Sequence, residues 1–117
     1  MPPCSQEYII FGMEPDQKFK WAMLVVDCMK QMRAEGFPFV DQEVLPPFNG
    51  SANGISAWFI CEHYYARERF DLQAATEALK NKLQDSGFPR EGVETLQTRI
   101  TSKTEIEAGG GRFHFFR

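Results

Sequence analysis

The fold class that the sequence predicts is an α+β sandwich, an antiparallel sheet with two helices packed on one face, and three observations predict it. Residues Gly36-Phe37-Pro38 recur 51 positions further on as Gly87-Phe88-Pro89. At the same spacing Tyr8-Ile9-Ile10 falls over Phe59-Ile60-Cys61, Phe19 over Phe70 and Met32 over Leu83. In both halves a short apolar run with strand character precedes a stretch whose apolar residues recur every three or four positions, as on one face of a helix.

Tyr8 to Met13 is an apolar run too short for a helix and bounded by Gly12 and Pro15, so it reads as a buried strand. Asp16 then serves as N-cap for a helix to about Glu35, with Trp21, Leu24, Val25, Cys28 and Met32 as its apolar stripe. Gly36 supplies the left-handed residue that ends this helix, and Phe37 can fold back on Met32. Phe39 to Leu45 is the second strand. Its flanking prolines, Pro38 and Pro46-Pro47, favour a sheet edge. The turn formers from Pro46 to Gly54 mark a surface loop.

The second half follows the same plan. Ile55 to Tyr64 reads as a strand, and Asp71 caps a helix with the stripe Leu72, Ala75, Leu79 and Leu83. Gly87 and Phe88 repeat the cap. Val93 to about Glu107 has the Thr, Ile and Val content of a strand, and Gly109-Gly110-Gly111 turns the chain into a final hairpin strand over 112–117. The 117 residues therefore form one domain, with halves at about 6–46 and 55–107. A duplicated β-α-β unit, βαββαβ plus a C-terminal strand, is the ferredoxin-like arrangement, with strand order 4-1-3-2. Many unrelated functions share that arrangement, so it carries no activity by itself.

Composition removes some function classes. The 13 basic and 16 acidic residues leave a net charge of −3, which disfavours nucleic acid as a partner. The stretch Gly54 to Ile60 has aliphatic residues where an RNA-recognition motif needs exposed rings. Cys4, Cys28 and Cys61 are an odd set without paired spacing, which suits a reducing compartment. No apolar run approaches the roughly 20 residues that span a bilayer, and Met1 to Ser5 lacks the pattern of a secretion signal. The expected location is the cytoplasm.

Two places can carry function. The middle strands are apolar on both faces: Tyr8, Ile10, Ala57, Phe59 and Cys61 point one way, and Ile9, Phe11, Trp58, Ile60 and Tyr64 the other. Two helices cover only one of these sets. The candidates for covering the other are the tail residues Phe113, Phe115 and Phe116, a second copy of the chain, or a different molecule. At one end of the sheet, Glu14 and Asp16 are expected to approach Arg67 and Arg69. That group is either a solvated ion-pair set or, with His63 and Tyr65, a pocket for a small anion.

His63 and Cys61 share a strand face, but no third ligand stands at metal-binding spacing, and neighbours on one face are too far apart for a nucleophile pair. A structural histidine is the expectation. No catalytic residues, metal or cofactor are assigned. The sequence thus reads as a non-catalytic protein-interaction or regulatory module using an open apolar sheet face, with a protein partner or its own copy as a homodimer. The alternative is a small-ligand binder or cofactor-free enzyme of the dimeric α+β barrel type. The binding residues named are Phe11, Trp58, Ile60, His63, Tyr64, Tyr65, Arg67 and Arg69.

Overall fold

The computed structural model describes residues 19–47 and 51–116. The expected first strand, the cap Asp16 and the site residue Phe11 lie outside the described residues. In chain order the elements are α1 (Lys20–Ala34), β1 (Asp41–Leu45), β2 (Ser56–Cys61), α2 (Tyr64–Arg69), α3 (Leu72–Asp85), α4 (Arg90–Thr95), β3 (Gln97–Ser102), α5 (Lys103–Ala108) and α6 (Arg112–Phe115). The fold is α+β, with an open three-stranded sheet in the order β1-β2-β3.

Both long helices end as their sequences demand. Gly36 (φ 108°) and Gly87 (φ 87°) sit in the left-handed region that glycine occupies without steric cost. Phe37 N–H donates to the Met32 carbonyl at 3.1 Å and Phe88 N–H to that of Leu83 at 3.0 Å, the long bond of a Schellman cap in each case. The shorter companion bonds run from Gly36 N–H to Arg33 and from Gly87 N–H to Gln84, both at 3.1 Å. At the other end of α3, Asp71 Oδ1 accepts from Ala74 N–H at 3.0 Å.

These ends aim two amphipathic helices at one sheet face. Val25, Cys28, Met29 and Met32 from α1 and Ala75, Leu79 and Leu83 from α3 form a single buried cluster with Ala57, Phe59 and Cys61 of β2. Alternation along β2 puts these three residues on the same face. The helices also meet each other: the Trp21 ring is edge-on to Phe88 at 5.3 Å, and Lys82 Nζ lies 2.7 Å from Glu35 Oε2.

Four expectations are corrected. First, the sheet is mixed and its order differs. β1 pairs antiparallel with β2 at the edge of the described sheet, but β3 pairs directly and in parallel with β2, Ser56 opposite Gln97 through Cys61 opposite Ser102. The order 4-1-3-2 separates these two strands by another, whereas here they pair directly. Periodicity identifies a strand, not its neighbour.

Second, β2 stops at Cys61, and Tyr64 and Tyr65 belong to a helix. His63 Nδ1 accepts from Ala66 N–H at 3.3 Å as the N-cap of α2. The run Ala66-Arg67-Glu68-Arg69 consists of strong helix formers. Third, the long strand expected over 93–107 is cut to six residues by α4 and α5. Ser102 Oγ accepts from Glu105 N–H at 3.2 Å and donates to the Glu105 carboxylate, so Ser102-x-x-Glu105 starts a helix.

Fourth, the terminal hairpin strand is the helix α6. Gly111 N–H donates to the Ile106 carbonyl at 2.9 Å and Gly110 N–H to that of Glu107 at 3.1 Å, which closes α5 with a third Schellman cap. A strand would send the adjacent Phe115 and Phe116 to opposite faces. The helical turn brings both rings onto Trp58.

Candidate functional site

The residues expected to form one binding region fall in two separate places. Trp58 and Ile60 of β2 lie on the face away from α1 and α3, and neither is open. Ile60 is fully buried. Phe115 and Phe116 stand edge-on to the Trp58 ring at 5.8 and 5.2 Å, and the Arg99 guanidinium lies 5.9 Å from the Trp58 centroid. At Trp58 the apolar face expected from the sequence is covered by the chain's own Phe-rich tail.

Arg112 holds that tail in place. Its Nε lies 2.7 Å from Glu43 Oε1, one terminal nitrogen lies 2.7 Å from Asp41 Oδ2, and the other donates to the Gln42 carbonyl. Alternation on β1 explains the geometry. Val44 packs toward the helical core, so Asp41 and Glu43 project to the tail side. Burial raises the Asp41 pKa, but hydrogen bonds from Arg112 and the Gln42 N–H, with the charges of Arg112 and Arg33, outweigh it and hold the carboxyl below its ordinary range. Burial likewise lowers the Arg112 pKa, and the two carboxylates more than offset it.

The second place is the outer surface of α2. His63, Tyr65 and Arg69 line an open groove of about 480 Å³ with Pro38 and Ala66. Tyr65 is 70% exposed and Tyr64 42%. The Tyr65 ring meets His63 and Tyr64 edge-on at 6.2 and 6.0 Å. Helical spacing from Tyr65 to Arg69 puts both on one face of α2, with the guanidinium one turn beyond the ring. Arg69 forms no ion pair among the described residues.

Arg67 belongs elsewhere. Its Nε lies 2.6 Å from Glu105 Oε1 of α5, an ion pair without the alignment of a hydrogen bond, and its guanidinium lies 4.9 Å from the Tyr64 centroid. The expected approach of Glu14 and Asp16 to Arg67 and Arg69 lies outside the described residues. Glu105 was not anticipated as a partner, although the capping motif at Ser102 would have located it on a helix.

The thiols suit packing. Cys28 and Cys61 are buried, and burial raises both pKa values, for Cys61 against the lowering influence of Arg67. A raised pKa suppresses the thiolate, the reactive form. Among the described residues no group of three or more His, Cys, Asp or Glu side chains is placed to hold a metal ion, and no helix is long and apolar enough to cross a membrane.

Fold and surfaces together describe an α+β domain with an aromatic and arginine-lined groove on one short helix. Comparison with known proteins adds no relative: the chain matches no family model, no curated protein and no solved structure.

Proposed function

We propose that the chain is a non-catalytic protein-interaction module that engages its partner through the α2 groove. The observation that carries this reading is the exposed Tyr65 ring beside Arg69 and His63. Tyr and Arg are the residue types enriched where interfaces concentrate their binding energy, because each joins a large contact area to a fixed polar tip. Tyr65 stands exposed, whereas Trp58 on the sheet face is packed against Phe115 and Phe116. A suitable partner places an apolar side chain against Tyr65 and Pro38 and an acidic one at Arg69. A protein of that chemistry, a second copy of the chain included, is the expected occupant.

The test is a photoreactive phenylalanine analogue at position 65, activated in the native cell. A discrete crosslinked protein that disappears when Arg69→Glu is added supports the reading. A crosslink pattern indifferent to Arg69→Glu removes it. A second reading, a small anionic ligand, is favoured by the groove's volume, which falls in the range of ligand pockets. A ligand at 100 times its dissociation constant should add about 2.7 kcal/mol of stability, which a thermal-shift screen detects.

A further inference from the structure

The C-terminal strap meets β1 and β2 through Arg112, Phe115 and Phe116. The guanidinium fits a receptor made by β1, with Asp41 and Glu43 as carboxylate acceptors and the Gln42 carbonyl between them. Such a planar fork discriminates arginine from lysine, because several N–H groups are satisfied in one geometry. Beside it the Trp58 ring receives two phenylalanine edges. The strap is joined to α5 through Gly109, Gly110 and Gly111, the last two at φ 94°. Its fit is incomplete: an open depression of about 330 Å³ remains between Glu43, Leu45, Arg112, Phe113 and Phe116.

We propose that the β1–β2 face built from Asp41, Glu43 and Trp58 is a docking site for a peptide segment of the pattern Arg-x-x-Phe-Phe. The chain's own residues 112–116 fill it in cis. Two observations name the occupant: a segment of this pattern is seated on the face, and the paired carboxylates require a cation there. A tethered occupant acts at an effective concentration in the millimolar range, so it excludes a free competitor until it is displaced. The site is independent of the α2 groove and stands or falls separately from it.

The experiment uses the full chain and a fluorescent synthetic peptide, Gly-Gly-Arg-Phe-His-Phe-Phe, followed by anisotropy. A chain carrying Arg112→Ala and Phe116→Ala, checked for cooperative melting, should bind the peptide at least about tenfold more tightly than the unmodified chain, because its site is no longer occupied in cis. Adding Asp41→Asn and Glu43→Gln to that chain should abolish binding, as should alanine in place of the peptide's arginine. Equal affinity for the strap-weakened and unmodified chains, no binding to a folded strap-weakened chain, or binding that survives loss of both carboxylates would each overturn the proposal. If the double variant does not fold, Arg112→Gln alone carries the same comparison, since both phenylalanines are retained.

Discussion

The Phe116 ring stands edge-on to the Trp58 ring, with centroids 5.2 Å apart and planes at 76°. The last described residue of the chain is thereby packed on the middle strand of the sheet. Edge-to-face pairs contribute about 0.5–1.5 kcal/mol beyond the area they bury. Phe116→Ala should therefore lower stability by at least that amount and change the Trp58 emission. Denaturant unfolding with fluorescence detection measures both. An unchanged midpoint with unchanged emission would mean that the tail does not pack there in solution.

Asp41 makes acid stability depend on the same strap. Its folded-state pKa lies below the ordinary 3.8, so its contribution is complete above the unfolded value and is lost as pH falls through the folded one. Asp41→Asn should leave a protein that is less stable at neutral pH and whose stability falls less steeply below pH 3.8. Urea midpoints collected from about pH 2 to pH 6 test the sign. Parallel curves for the variant and the unmodified chain would contradict the pairing with Arg112.

Gly92 lies inside α4, where alanine ordinarily favours a helix by about 1 kcal/mol over glycine. The tertiary structure reverses that expectation. A Cβ at this position would stand 2.5 Å from the Phe88 ring and 2.8 Å from the Ala52 carbonyl oxygen. Gly92→Ala should destabilise the domain by roughly 1–3 kcal/mol, the usual range for overpacking. Calorimetry reads the difference directly.

Gly87 poses the opposite case, since a Cβ there meets nothing within 4 Å and only the backbone angle matters. Gly87→Val should cost roughly 1–2 kcal/mol through left-handed strain. Gly87→Asn should cost less, because asparagine tolerates that region better. Equal melting temperatures for the two variants would argue against strain as the cause.

The features legible in the sequence are those whose causes lie within a turn or two of chain. The Schellman glycines Gly36 and Gly87, the Asp71 cap and the buried stripes of α1 and α3 all follow from neighbours no more than a few residues apart. The position of β1 at the edge of the described sheet agrees with its flanking prolines in the same way. Two further local signals point to helices: the Ser102-x-x-Glu105 capping motif, inside the strand expected over 93–107, and the helix-forming run after the strand expected to end at Tyr64, which places Tyr65 and Arg69 on one face. The groove itself needs Pro38, which lies far from α2 in the chain.

What the sequence alone determined, then, is that the chain is α+β, where α1 and β1 end, and where α3 begins and ends, because capping bonds and apolar periodicity are short-range. Which strand lies beside β2, and what covers Trp58, only the tertiary structure decided. Ser56 and Gln97 pair across 41 positions of chain, and Arg112 reaches Asp41 across 71. Partners so distant are chosen by competition among all the apolar faces and charges the folded chain brings together, and no local pattern records which of them wins.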